Sequence, residues 1–534
     1  MSPKKYFQII RGVDKDIKES KSFVVCTIKF WLDQDTMNHT RKRERDNKRR
    51  FRQSIFFLCI LLVIGIYTLL YFTVFVEKPL DKPLDKPLDK PLDKPVRKGS
   101  LKGVKKLLNV QDQPISDQIR SAMQYAFQAY MRDAWKADEY MPVKKRGMDT
   151  FGGKGLTIID SLDTLYLMGL ETEFKSAKHF VQDEFEFKGR VNVFENNIRV
   201  LGGLLSIYSL TKDALFLEKA KEVGEQLLKA FPHRIPCAVI DTTKDGLCEM
   251  QQWSHGAVNA EVGTLSVEFV ALSKFTGDSR WQEKIDAINE YWLLHSDHLL
   301  AMNIDPITEK MTGPQTIGGG IDSTYEYLIK LNKLTGDKLA GKLYDTFEEM
   351  IVTQMFTTYG TTTFAKASNS DKIEHLGCFL GGMLIMGQKY TKEGLAFTET
   401  CARMYTTTTS GIACDSVSVK PDGSLVCASN VYLLRPEVVE SIFYAWRETH
   451  DPKWRMYATK IWKALERHCQ LDTGGFTDVR YVTGAHPEKM DKQESWFLAE
   501  TIKYLWLIFQ PDDVLPLDQY VFNTEAHPIH IFTK

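Results

Sequence analysis

The chain has 534 residues, with 69 Lys plus Arg and 69 Asp plus Glu, for a formal net charge of zero. At 43% hydrophobic and 26% charged residues it has the composition of a globular protein with a large core, which excludes a strongly basic nucleic-acid binder and an acidic disordered chain. The zero is a balance of two unlike parts. Residues 1–53 carry 15 Lys/Arg against 7 Asp/Glu, a net of +8, and the remainder carries −8.

The division falls at the one long apolar run. Ser54 to Val76 holds no charge over 23 residues. As a helix it is about 34 Å long, enough for a hydrocarbon layer of roughly 30 Å. The basic cluster Arg41 to Arg52 precedes it, and basic residues stay on the cytoplasmic side. Residues 1–53 are therefore expected to be a cytosolic tail, 54–76 a type II signal-anchor helix and 77–114 a stem. Within the stem KPLD occurs four times, from Lys78 to Asp93. Proline at every fourth position excludes helix and keeps that segment extended.

Residues 115–534 read as one all-α domain. The first helix has an apolar stripe, Ile119, Ala122, Met123, Ala126, Phe127 and Tyr130, with Ser116 as its expected N-cap. A short polar punctuation then recurs after apolar stretches: Thr211-Lys-Asp213, Thr276-Gly-Asp278, Thr335-Gly-Asp337, Thr391-Lys-Glu393 and Thr449-His-Asp451. Some 12–16 residues before each stands Glu195, Glu261, Asp322, His375 or Glu437. Such units pair a buried helix with a peripheral one and must stack to cover their apolar faces. With Asp160-Ser-Leu-Asp163 before them and Glu494 to Leu507 after, about seven units are expected, closed into an (α/α)7 barrel with the helix starts on one rim. Few segments read as strands; the best is Gln519 to Asn523, a small C-terminal β element.

Seven cysteines follow the apolar run: Cys237, Cys248, Cys378, Cys401, Cys414, Cys427 and Cys469. An odd number leaves one without an intramolecular partner.

An acid at a helix start complements the helix dipole and by itself says little. Here acids stand with Arg and aromatic residues in the phrases Phe194-Glu-Asn-Asn-Ile-Arg199, Leu434-Arg-Pro-Glu-Val-Val-Glu440 and Glu494-Ser-Trp-Phe-Leu-Ala-Glu500. Cleavage of a glycosidic bond needs one carboxyl to protonate the leaving oxygen and another to activate water or attack C1.

At these phrases the chain resembles glycoside hydrolase family 47, the class I α-1,2-mannosidases that trim asparagine-linked glycans. The resemblance runs from Ala134-Trp-Lys-Ala-Asp-Glu-Tyr-Met-Pro142 through Gly155 to Thr164, Glu261-Val-Gly-Thr264, Asp322-Ser-Thr-Tyr-Glu-Tyr327 and His375-Leu-Gly-Cys-Phe379 to Phe522-Asn-Thr-Glu-Ala-His-Pro528. It implies an (α/α)7 barrel and inverting hydrolysis of terminal α-1,2-linked mannose on oligomannose N-glycans. The family's catalytic acids fall on Glu195, Asp322 and Glu437. Glu195 matches the general acid, acting through a water. Glu437 matches the base, with Asp322 as the alternative.

The resemblance also implies Ca²⁺ at the barrel floor, with Thr524 as its protein ligand and Glu261, Glu440, Glu500 and Glu525 around the metal's waters. Arg199, Arg435 and His375 match pocket residues, and Trp496 a stacking aromatic. Cys378 and Cys401 match the family's disulfide. Cys237 with Cys248 and Cys414 with Cys427 are further candidates by short span, leaving Cys469 odd. Gly320 stands where reticulum-type members carry Arg, and loss of that large donor widens the pocket and relaxes branch selection. The expectation is a monomeric enzyme of the Golgi membrane, with the endoplasmic reticulum as the alternative. The competing reading is a non-catalytic, mannosidase-like lectin of glycoprotein quality control.

Overall fold

A computed structural model describes residues 114–532 apart from 245, 255 and 367–369. The expected tail, anchor helix and KPLD stem lie outside the described residues. Among the described residues no helix is long and apolar enough to cross a membrane.

The recurring polar punctuation is a helix-to-helix corner. Thr211, Thr276, Thr335 and Thr449 each donate a hydroxyl to the carbonyl four residues back. The next residue, Lys212, Gly277, Gly336 or His450, takes a left-handed conformation, which ends the helix. The Asp that follows accepts from the first backbone N–H groups of the next helix, at Asp213, Asp278, Asp337 and Asp451. A cap of this kind contributes about 1 kcal/mol. The fifth corner is displaced: Gln388 is its left-handed residue, and Thr391 already begins the outer helix.

Among the described residues, seven helical hairpins result. Their inner helices are α2 and α3 (Leu156–Asp160, Leu162–Leu167), α5 (Gly202–Thr211), α7 (Ser266–Thr276), α9 (Asp322–Thr335), α11 (Phe379–Gly387), α13 (Glu437–Thr449) and α15 (Ile502–Ile508). The outer helices are α4 (Glu171–Asp183), α6 (Ala214–Leu227), α8 (Arg280–Leu294), α10 (Lys338–Met355), α12 (Thr391–Thr406) and α14 (Pro452–His468). The seventh outer helix is α1 (Ile115–Asp133), which begins the domain and packs on α15. Each inner helix packs on the next, and the turn leading into α15 returns to α2 and α3, so the ring closes. Inner helices such as α11 are apolar on every side because they are covered on every side. Outer helices bury one stripe; in α1 all six expected stripe residues are buried. Ser116 is not the cap of α1. That position falls to Pro114, without a side-chain bond, and the Pro114 carbonyl accepts from Asp117 N and Gln118 N.

Strands are more numerous than expected. Seven small sheets occur among the described residues. Several form in connections from an outer helix to the next inner one, as where Arg190–Asn192 pairs with Val239–Asp241. At two to five residues each, these strands are too short for alternation to register in sequence.

At the C-terminus β1 (Tyr520–Phe522) pairs antiparallel with β2 (Pro528–His530). Residues 523–527 form the tip of this hairpin and lie inside the barrel. Asn523 Oδ1 accepts from Glu525 N and His527 N. Lys330 of α9 donates to Asn523 O at 3.0 Å, and Lys503 of α15 to Ala526 O at 2.7 Å. Disulfides join Cys237 to Cys248, Cys378 to Cys401 and Cys414 to Cys427. Cys469 is free and buried, and burial pushes its thiol up.

Candidate active site

Three acids stand at or next to inner-helix starts. Asn192 Oδ1 accepts from Glu195 N at 2.9 Å and so caps the turn that ends at Glu195. Asp322 is the first residue of α9 and Glu437 the first of α13. A π-helical stretch follows Glu195, Asn196–Leu201, and another follows Trp496, Phe497–Thr501. Wide turns of this kind re-aim side chains and are frequent at functional sites; these two carry Arg199 and Glu500. Leu434, three residues before Glu437, is left-handed at φ 60°, a strained state for a branched side chain. It is fully buried, and its carbonyl accepts from Thr501 Oγ1 at 2.7 Å.

These elements surround a cavity of about 360 Å³ inside the ring. Glu195, Asp322 and Glu437 line it, as do Arg199, Arg435 and Trp496. Glu261, Glu440, Glu500 and Glu525 line it too, with Thr524 at the hairpin tip and Gly320 on the opposite loop. His375 does not. Its ring is fully buried behind Glu437, with Nδ1 at 2.8 Å from Glu437 Oε2. The pocket role expected for His375 therefore becomes a role of holding the acid. Tyr432 donates to Arg435 O and Tyr405 donates to Tyr432. The Tyr405 oxygen is thus left to accept from His375 Nε2, at 2.9 Å.

Arg199 is the hub of one wall. It donates from Nε to Glu195 Oε2 at 2.8 Å and from Nη1 to Ser495 at 3.1 Å and to Glu525. Its guanidinium lies between the Phe151 and Trp496 rings, 5.6 and 5.3 Å from their centroids. On another wall Arg435 donates to Asp415 at 2.6 Å, with Nη1 3.8 Å from Glu437 Oε1.

The carboxyls differ in charge state. Burial alone would raise Glu437, but the His375 hydrogen bond and charge, with Arg435, outweigh it and hold this group below the usual range. Asp322 has no cation partner among the described residues, and burial pushes it up to about 7. Burial likewise takes Glu261 to about 7 and Glu440 to about 8. Glu500 is raised well above its usual value by burial and then by Glu525, Glu440 and Glu437.

Among the lining residues that sequence reasoning missed, two bear on the chemistry. Glu326, one helical turn after Asp322, accepts from Thr524 Oγ1 at 3.2 Å and pairs with the fully buried Lys330. Its spacing of four from Asp322 was available as a signal. Trp253 is 61% exposed at the cavity rim, in a loop without periodicity.

Among the described residues eight carboxylates line this cavity against two guanidiniums, and Glu261 Oε2 is buried without a hydrogen-bond partner among them. Such a set fits a hard divalent cation, which favours oxygen and relieves carboxylate repulsion. Among the described residues no three His, Cys, Asp or Glu side chains form a ready ligand set; the oxygen at the hairpin tip is the Thr524 hydroxyl.

Residues 122–531 match the family described as Glycosyl hydrolase family 47. The chain is 35% identical over 468 residues to mannosyl-oligosaccharide 1,2-alpha-mannosidase MNS1 of Arabidopsis thaliana, covering 81% of this chain and 82% of that one. It is 36% identical over 449 residues to mannosyl-oligosaccharide 1,2-alpha-mannosidase IB of Homo sapiens, covering 78% and 69%. The solved α-1,2-mannosidase from Trichoderma reesei superposes with a TM-score of 0.72 at 26% identity, covering 78% of this chain and 99% of that one. With a closed ring of helical hairpins, an acid-lined cavity and a match over most of its length, the chain belongs to glycosyl hydrolase family 47.

Proposed function

We propose that this protein is a mannosyl-oligosaccharide 1,2-α-mannosidase, removing terminal α-1,2-linked mannose from oligomannose N-glycans with inversion. One observation carries the reading: Glu195, Asp322 and Glu437 line a single cavity of about 360 Å³ inside the ring, and the ionisation of Glu437 is pushed down while that of Asp322 is pushed up to about 7. Pairs separated in this way divide acid and base work between them.

Glu437, ionised, takes a proton from water whose oxygen attacks C1. The C1–O bond breaks, the leaving oxygen takes a proton, and β-mannose is released. Glu195 delivers that proton through a water. The high value of Asp322 argues against its serving as the base and makes it a second proton source in the cavity. Arg435 and Trp496 bind and orient the sugar. Thr524 would be the protein ligand for Ca²⁺, with the floor carboxylates around its waters; when bound, the ion would supply fixed positive charge for sugar hydroxyls and water.

We place the enzyme in the Golgi membrane, anchored once by residues 54–76 with its catalytic domain in the lumen, as a monomer. The uncharged run after the basic cluster supports the anchor and its orientation, and Gly320 in place of Arg favours the Golgi over the endoplasmic reticulum.

The test is digestion of an α-1,2-linked oligomannose glycan by the full chain. Released mannose should appear as the β anomer. Glu437→Gln should lose turnover by orders of magnitude and keep glycan binding. An intact glycan at high wild-type concentration, with binding retained, leaves the lectin reading standing.

A further inference from the structure

A row of six charges runs through the interior, with alternating sign, and ends on Glu195. It begins at Lys503 of α15, whose Nζ lies 2.9 Å from Asp163 Oδ1. Asp163 Oδ2 is 2.9 Å from His527 Nδ1. His527 Nε2 is 3.0 Å from Asp160 Oδ1. Asp160 Oδ2 is 3.6 Å from Arg199 Nη1, and Arg199 Nε donates to Glu195 at 2.8 Å. The first four side chains are fully buried, Arg199 is 5% exposed and Glu195 19%. The row links the hairpin tip, through His527, to α2 and α3 through Asp160 and Asp163, and thence to the cavity wall. Both nitrogens of His527 face carboxylates, so each is a donor and the ring cannot rotate without breaking two charged contacts.

We propose that Asp160 and His527 are positioning residues for the proton donor: they fix Arg199, and Arg199 fixes Glu195 toward the leaving oxygen. The physical reason is economy of motion. Arg199 also contacts Ser495 and Glu525, so without an anion behind it the guanidinium can shift toward the Glu525 side and draw Glu195 with it. Glu195 has no other cation within ion-pair distance among the described residues. Seating of the C-terminal hairpin is thereby transmitted to the acid. This inference rests on the reading of Glu195 as the general acid given above.

The test compares two substrates of unlike leaving group in one enzyme preparation. An α-1,2-linked mannobiose needs its leaving oxygen protonated. α-Mannosyl fluoride reacts with water to mannose and HF and needs little help of that kind. Their rate ratio does not depend on the folded fraction. For Glu195→Gln, mannobiose hydrolysis should fall by about 100-fold or more, the usual range for general acid catalysis, and fluoride hydrolysis far less. Asp160→Asn and His527→Gln should shift the ratio in the same direction by about 10-fold or more, with KM for mannobiose little changed. The double variant Asp160→Asn with Glu195→Gln should lose no more than Glu195→Gln alone, as expected for residues acting as one unit.

If Glu195→Gln shifts the ratio while Asp160→Asn and His527→Gln do not, the row is structural and the inference falls. A further loss in the double variant also overturns it. If Glu195→Gln itself leaves the ratio unchanged, the acid assignment fails and the inference with it.

Discussion

Replacing His375 with Leu tests how Glu437 is kept ionised. The imidazole lies 2.8 Å from Glu437 Oε2 and bonds Tyr405 on its far side. It is one of two cationic influences that hold the carboxyl down; Arg435, 3.8 Å away, is the other. A hydrogen bond to a charged group contributes about 1.5–3 kcal/mol, and one pKa unit corresponds to about 1.36 kcal/mol. Loss of the imidazole should therefore raise Glu437 by about 1–2 units. The base works only when ionised, so activity is present above its pKa and lost as pH falls through it. The acid limb of kcat/KM should move upward by about the same 1–2 units, because that profile reports the free enzyme. At pH 7 the variant should retain much of its rate, and the loss relative to wild type should grow as pH falls. His375→Gln, which keeps an amide donor but no charge, should shift the limb less. The assay is mannose release from an α-1,2-linked glycan across pH, with melting temperature measured alongside because Tyr405 loses a partner. A rate lowered equally at every pH, with the limb unmoved, would refute the reasoning.

The specificity loop gives a paired prediction. Gly320 has φ +94°, and a Cβ there would lie 2.5 Å from Met302 Cε, so Gly320→Arg should lose about 1–2 kcal/mol of stability from the left-handed backbone and lower the melting temperature. Gly319 also lines the cavity, and a Cβ there meets nothing within 4 Å. Gly319→Arg should fold normally and narrow the set of trimmed glycans seen by mass spectrometry; an unchanged product set would remove pocket width as the basis of branch selection. Added Ca²⁺ should raise the melting temperature. At 100 times its dissociation constant the gain is about 2.7 kcal/mol, and Thr524→Val should abolish the shift. Replacing Cys378 and Cys401 together with Ala opens a loop spanning 23 residues. The expected loss is about 3 kcal/mol, read by denaturant unfolding under non-reducing conditions.

Much of the site was legible because its acids are tied to helix starts, and helix starts are local. Glu195, Asp322 and Glu437 could be located from the apolar helix and polar corner that follow each of them. The same logic misplaced His375. It occupies an equivalent position in its repeat, yet the 3₁₀ turn Leu376–Cys378 comes before α11, and its ring lies behind Glu437 rather than at the cavity surface. Glu326 was overlooked because nothing nearby in sequence announces Thr524, its partner 198 residues away.

The amino-acid sequence by itself determined the corners, the alternation of buried and peripheral helices, and hence the number of hairpins. Each depends on contacts within a few residues: a Thr hydroxyl on the carbonyl four back, a left-handed residue, an Asp on the next N–H groups. Tertiary structure alone decided which charges meet. His527 lies 364 residues from Asp163, and Arg199 lies 326 from Glu525. Ring closure brings them together, and the buried carboxylates Asp160, Asp163 and Glu525 are matched by cations distant in sequence, which offset the cost of burying their charge. No local pattern records which helix supplies it.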